Sequence, residues 1–294
     1  MKTVLVAGAT GNVGKHLVQV LKSKGNRVRV LVRNTEKLRQ VKGKSGEHIY
    51  PLIDEVIKGD VAKPHTLQGC CDQIDYVISA VGLTGKAQGL TFREVDYQGN
   101  MNLLREAEKS GVQKMMYIHV FMNEKWKHPG SLLEAKENFV KELKASIVPH
   151  IIIRPTGYFS DMAQILQMAK SGRVYLLRNG EAKMNPIHEQ DVAQFSADAL
   201  QAENKILDVG GPAVYSYQEI AQLAFAVQGR KERVTYIPVV VLTCISFLLK
   251  RTSKHTYGLF QFLVNVMTHD LVAPKNGSYT LEAFFKEESS CVIS

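Results

Sequence analysis

Short apolar runs alternate with longer stretches of helical periodicity over the first 155 residues. "TVLVA" (3–7), "RVRVLV" (27–32), "DEVIKGD", "DYVISAVG", "KMMYIHV" and "HIIIRP" read as strands. Between them, apolar positions recur at three- and four-residue intervals. One such stretch runs from about Val13 to Lys24, with Gly25 placed to close the helix, and another is "TFREVDYQGNMNLLREAEKSG" (91–111). A further helix is predicted at "HPGSLLEAKENF" (128–139). Ser131 and Glu134 there form an S-x-x-E capping box, and Leu132, Leu133, Ala135, Phe139 and Val140 make one apolar face. Lys136 falls inside its first turns, beside that face.

Strands alternating with helices imply right-handed crossovers and an α/β, doubly wound parallel sheet of Rossmann type. The rhythm changes after Pro155. A helix through "DMAQILQMAKSG" leads to "RVYLL", a turn at "RNGE", then "KMNPIHEQDVAQFSADAL", "KILDVGGP" and a helix at "SYQEIAQLAFAV" with its own capping box at Ser216 and Glu219. The expected organisation is a core over 1–155, completed by strands within 183–212, and a smaller substrate-side lobe over 156–294.

The chemistry begins at "VLVAGATGNVGKHLV". Gly8, Gly11 and Gly14 stand at G-x-x-G-x-x-G spacing between a strand and a helix. In such a turn the first glycine permits the bend, the second lets the backbone approach a pyrophosphate, and the third lets the helix pack on the strand. The phosphates then sit on the helix N-terminus. Gly8, Thr10, Gly11, Asn12, Val13 and Gly14 are the expected phosphate cradle. At the end of the second strand an NAD site usually places Asp or Glu. Here "VRNTEK" offers Arg33 and Lys37, which suit a ribose 2′-phosphate and hence NADP(H).

Composition narrows the classes further. Hydrophobic content of 45% and charged content of 22% over 294 residues are those of a globular protein, and the net charge of +9 is modest. No basic run, aromatic-interleaved basic patch or zinc-finger spacing argues for nucleic acid. Cys70, Cys71, Cys244 and Cys291 form neither a CxxC nor a metal-ligand spacing, which fits a reducing compartment. The chain opens directly into a strand, so no signal peptide is expected, and a cytoplasmic location follows.

Together these residues resemble the atypical short-chain dehydrogenase/reductases, particularly the NmrA-like and divinyl-reductase-like NAD(P)-binding proteins. "GATGNVG", "IIIRPTGYFSDM" (151–162) and "NPIHEQDVA" (185–193) carry the resemblance, which extends to "GGPAVYSYQEIAQLA". It implies that Asp60 and Val61 flank the adenine and that Ser79, Ala80, Val81 and Gly82 line the cofactor ribose. Pro155, Thr156 and Gly157 would lie near the nicotinamide. Read without the resemblance, Asp60 is an Asx residue that ends a strand.

In tyrosine-dependent relatives a lysine follows the catalytic tyrosine by four residues. Leu132 occupies that position before Lys136, and "YIHVF" puts His119 where a serine is usual. Lys136 is therefore read as a ligand of the cofactor ribose, with tyrosine activation or a solvated helix position as the other roles. A proton for reduction would come from solvent, His119, His128 or Tyr158; His119 and Tyr158 are the candidate catalytic residues. His188 fits a role in fixing the lid.

"IPVVVLTCISFLL" (237–249) and "YGLFQFLVNVM" (257–267) read as lobe core and pocket wall for an apolar substrate, or as a peripheral contact with lipid edged by Lys250, Arg251 and Lys254. The final "CVIS" fits a prenylation box at Cys291. The expected function is an NADP(H)-dependent reductase of an apolar unsaturated or carbonyl-bearing small molecule. A non-catalytic NADP(H)-binding regulator, redox sensor or assembly factor is the alternative.

Overall fold

The computed structural model describes residues 1–43, 46–83, 89–124, 126, 130–252 and 254–290. His128 and the CVIS tail lie outside them. β1 (Thr3–Ala7), α1 (Asn12–Ser23) and β2 (Arg27–Val32) make the first crossover unit. The α1 helix ends as its sequence demands. Gly25 adopts φ +76°, its N–H donates to the Lys22 carbonyl at 3.0 Å, and the Asn26 N–H donates to Leu21 at 3.1 Å. These are the paired hydrogen bonds of a Schellman stop.

A six-residue helix, α2 (Thr35–Gln40), precedes β3 (Glu55–Lys58) and β4 (Tyr76–Ser79). The stretch at 91–111 is not one regular helix. A π-helical segment over Arg93–Gly99 leads into α3 (Asn100–Lys109). The wide turn accompanies two fully buried polar residues, Asp96 and Asn100, which a sequence periodicity of 3.6 does not anticipate. Then come β5 (Lys114–Ile118), α4 (Gly130–Ala145) and β6 (His150–Pro155). Because α4 starts at Gly130, Ser131 is already helical and is not its N-cap, which corrects the capping box predicted there.

The sheet has seven strands in the order β3-β2-β1-β4-β5-β6-β9, with β9 spanning Lys205–Val209. Strands β3 to β6 are mutually parallel, from Arg29↔Glu55 at one end to Ile118↔Ile153 at the other. This is the doubly wound Rossmann order, reversing direction between β1 and β4, where such sheets bind ligands at their carboxyl ends. The central strands are apolar on both faces, and Val4, Leu5, Val6, Val77, Ile78, Met115 and Met116 are fully buried.

The chain divides into two compact units. One comprises Met1–His119, Leu132–Ile153 and Val192–Leu207, and so includes α6 (Glu189–Ala199) from Val192 onward. The other comprises Val120–Ser131, Arg154–Asp191 and Asp208–Ser294. In this second unit α5 (Phe159–Lys170), α7 (Tyr217–Val227) and α10 (Leu281–Ser290) pack on one another around Phe159, Ile220, Phe225 and Phe285. Two short ladders complete it, a parallel one between β7 (Val174–Leu177) and β11 (Val234–Ile237), and an antiparallel one between β8 (Lys183–Met184) and β10 (Tyr215–Ser216). The helices α8 (Val239–Thr252) and α9 (Lys254–Thr268) form a hairpin.

Candidate cofactor site

The β1–α1 turn has the geometry its glycines predict. Gly8 sits at φ +89°, and a Cβ on it would lie 2.8 Å from the Ala80 carbonyl oxygen. A Cβ on Gly14 would lie 2.0 Å from the Gly8 oxygen, so only glycine lets α1 start this close to β1. Around Gly11 the one obstruction within contact distance is the turn itself, the Gly8 oxygen at 3.2 Å. Gly11 is also the N-cap of α1, with no side chain capping it and no acidic residue in the first turn. A positive helix end with no acidic residue in its first turn suits a pyrophosphate. At Gly8 and Gly14 the missing Cβ atoms make room for neighbouring backbone, so that the turn can close onto the helix.

Lys136 is buried, which excludes a solvated helix position. Its Nζ lies 2.9 Å from Asp96 Oδ1 and donates to the Tyr117 hydroxyl at 3.3 Å, above the Tyr117 ring. Burial disfavours the charge on Lys136, yet the neighbouring carboxylate and phenol outweigh it and hold the ammonium well above the usual lysine range. Asp96 in turn accepts from the Leu83 N–H at 3.0 Å, while its backbone carbonyl accepts from Asn100 Nδ2 at 2.9 Å. Asn100 also accepts from the Ser79 hydroxyl at 2.5 Å. A Cβ on Gly82 would lie 3.1 Å from Asp96 Oδ1 and 3.2 Å from Lys136 Nζ. The glycine therefore lets the backbone run close past the ion pair, with a donor and an acceptor beside it.

This network includes residues the sequence reading missed. Asp96 and Tyr117 are the partners of Lys136, and Glu137 lies 3.1 Å from His119 Nε2. The one sequence signal for Asp96 was two polar residues, Asp96 and Asn100, spaced as neighbours on a helix otherwise facing the core. Tyr117 is not an activated acid. Complete burial pushes its phenol up to about 12, and the nearby Lys136 offsets only part of that. Leu132, at the position of the usual tyrosine, is buried apolar packing. His119 follows β5 with its ring edge-on to Tyr117 and no side-chain surface open to solvent.

Of the other predicted residues, Arg33 and Lys37 are exposed just past β2, and Asn34 between them caps α2 by accepting the Lys37 N–H at 2.9 Å. Asp60 forms an Asx turn, accepting from the Ala62 N–H at 3.0 Å. Val61 packs beneath Gly99, and its carbonyl accepts from Asn102. Ala80 continues from β4 with its N–H on the Ala7 carbonyl, and the Val81 N–H donates to Ser79 Oγ at 3.3 Å.

In the second unit, Thr156 is buried, donating its hydroxyl to the Asn185 carbonyl at 2.6 Å. Pro155 ends β6, and Gly157 accepts the Ile187 N–H at 2.8 Å. Tyr158 leads into α5, where its N–H faces the Asp161 carboxylate at 3.3 Å. Asn185 bridges Gly211 and Ala273 through its side chain. His188 accepts the Gln190 N–H on Nδ1 and packs among Phe159, Tyr279 and Phe284, so it is a structural residue of this motif.

The strand order and the uncapped glycine turn define a dinucleotide-binding protein. The chain belongs to the NAD(P)H-binding family, which matches residues 8–203. It is 27% identical over 245 residues to the photosystem II assembly factor Ycf39 of Synechocystis sp., covering 81% of this chain and 72% of that protein. It is likewise 27% identical over 275 residues to the chloroplastic divinyl chlorophyllide a 8-vinyl-reductase of Zea mays, covering 87% and 67%. Among solved structures, an NADPH-dependent quinone oxidoreductase complexed with NADPH from Escherichia coli superposes with a TM-score of 0.70. That match has 14% identity and covers 99% of this chain and 100% of that one, so it speaks to the fold.

Proposed function

We propose that this protein is an NADP(H)-dependent reductase of an apolar small molecule, carrying an activated double bond or a carbonyl, and that it works without a tyrosine acid. The observation that carries the reading is Lys136, held charged beside Gly82 by Asp96. Among the described residues Asp96 and Tyr117 take two of its three N–H groups, and the third would donate to a ribose hydroxyl. The cofactor supplies the hydride when bound, and the chain supplies orientation. With Tyr117 pushed to about 12 and the His119 ring closed off from solvent, water is the proton source in this reading.

Preference for the 2′-phosphate rests on Arg33 and Lys37, which are exposed and make no ion pair among the described residues. Glu36, the acid between them in the chain, faces Arg39 at 3.8 Å. The aqueous phase of a reducing compartment, such as the cytoplasm, suits Cys70 and Cys71, which are buried free thiols. The second reading, a non-catalytic NADP(H)-binding assembly factor, is favoured by that same burial of Tyr117 and His119. The similarity to both a vinyl reductase and an assembly factor is compatible with either.

Calorimetry with NADPH and NADH, followed by NADPH oxidation assays against quinone and enone acceptors, tests the proposal. Tighter NADPH binding with turnover of an acceptor is expected. Tight NADPH binding without turnover of any acceptor would favour the second reading. Equal affinity for the two cofactors would overturn the assignment of Arg33 and Lys37.

A further inference from the structure

Among the described residues, five of the twelve exposed large hydrophobic side chains lie on α8. Val240 is 72% exposed, Phe247 56% and Leu248 62%, and Val241, Ile245 and Cys244 are exposed with them. At 100° per residue, Val240, Val241, Cys244, Ile245, Phe247, Leu248 and Arg251 fall within one arc of roughly 160°. Leu242, on the opposite side, is buried. A helix of a water-soluble protein normally turns its apolar arc inward. This one is apolar on both sides, with Leu242 turned inward and the arc left outward, and a contiguous patch of this kind marks a contact surface.

Charge and composition choose the occupant. From Arg233 to His269 the sequence contains no Asp or Glu and carries Arg233, Lys250, Arg251 and Lys254. Lys250 and Arg251 close the last turn of α8, and the Arg251 guanidinium lies 4.3 Å from the centre of the Phe247 ring. A cation thus sits directly on the apolar arc, free to reach toward headgroups from a buried ring. A protein partner would ask for about one hydrogen bond per 100–200 Å², and among the described side chains of the arc the Cys244 thiol and Arg251 have the polar atoms on offer. With 14 residues α8 is about 21 Å long, and no helix among the described residues is long and apolar enough to cross a membrane. Too short to span, an exposed apolar face of this kind can meet lipid only from the side, at the interface.

We propose that the outer face of α8 docks this protein on an anionic lipid surface, with Val240, Phe247 and Leu248 inserted among the acyl chains and Lys250 and Arg251 at the phosphates. The proposal is independent of the cofactor reading, because it concerns a helix that contributes nothing to the glycine turn or the Lys136 network.

The test is flotation of the full chain with vesicles of phosphatidylcholine alone and of phosphatidylcholine mixed with phosphatidylglycerol, at low and high salt. Binding to the anionic vesicles is expected, weakened by salt. The double variant Phe247→Asp/Leu248→Asp should no longer float. Lys250→Gln/Arg251→Gln should bind about tenfold or more weakly, since each basic residue near an anionic surface is worth roughly fivefold. Alkylation of Cys244 in the otherwise unaltered chain, located by peptide mass, should slow when anionic vesicles are present; this readout holds even if a variant fails to fold. Absence of the wild-type chain from the anionic vesicle fraction at low salt would overturn the proposal. So would unchanged flotation of a folded Phe247→Asp/Leu248→Asp variant. A dimer that this variant dissolves, without vesicle binding by the wild type, would assign the face to a second copy of the chain instead.

Discussion

Lys136 is stabilised as an ammonium by one carboxylate, and its removal should leave Asp96 buried and uncompensated. Lys136→Met is expected to cost about 3–5 kcal/mol of stability by denaturant unfolding. Lys136→Met/Asp96→Asn should recover part of that loss, because the pair and not the lysine alone sets the cost. NADPH affinity should remain weak in both variants if the ammonium serves the cofactor ribose; recovery of affinity in the double variant would show that Lys136 acts only on folding. Tyr117 gives a pH test. Its folded pKa of about 12 lies above the unfolded value near 10. The folded state therefore keeps a proton that the unfolded state loses, so this contribution is complete below pH 10 and disappears between pH 10 and 12. In Tyr117→Phe the fall in stability between pH 9 and pH 11.5 should be smaller by about 2 kcal/mol, measured by urea unfolding at the two pH values.

Two helix starts carry predictions of different kinds. At α1 the packing is backbone on backbone, with the Gly14 position 2.0 Å from a carbonyl oxygen once a Cβ is added. Gly14→Ala must displace the turn, and loss of NADPH binding with a folded far-UV spectrum is the expected outcome. At α7 the capping box is complete. Ser216 Oγ accepts the Glu219 N–H at 3.1 Å, and the Glu219 carboxylate accepts the Ser216 N–H at 2.7 Å. Ser216→Ala should destabilise by about 0.5–2 kcal/mol without altering cofactor affinity. A shift in NADPH affinity in that variant would mean that α7 reaches the cofactor.

For the whole molecule, the cofactor should act as a stabilising ligand. At free NADPH of 100 times its dissociation constant the folded state should gain about 2.7 kcal/mol, visible as a rise of several degrees in the melting temperature. NADH at the same concentration should give a smaller rise. In Arg33→Ala the two cofactors should converge, since one charge-assisted hydrogen bond to phosphate is worth roughly 1.5–3 kcal/mol. A difference between cofactors that persists undiminished in Arg33→Ala would move the selectivity to Lys37 or elsewhere.

The sequence by itself determined the elements that depend on local pattern. The β1–α1 turn, the stop at Gly25, the parallel sheet and the capping box at Ser216 are each specified by residues close together in the chain, through backbone sterics and periodicity. It also placed Lys136 on the apolar side of α4. What surrounds Lys136 was decided only in three dimensions. Asp96 comes from a π-helical segment, Tyr117 from β5 and Gly82 from the end of β4, and no spacing rule links 82, 96, 117 and 136. The lysine is buried because a carboxylate forty residues earlier in the chain is folded against it, which no local periodicity encodes. The same holds for α8. Its pattern is apolar whichever way it faces, and the side left to solvent was set by which residues α9 covers. Burial and counter-charge are properties of the packed chain, so the roles of Lys136, Tyr117 and Phe247 became readable only when the fold had brought their neighbours to them.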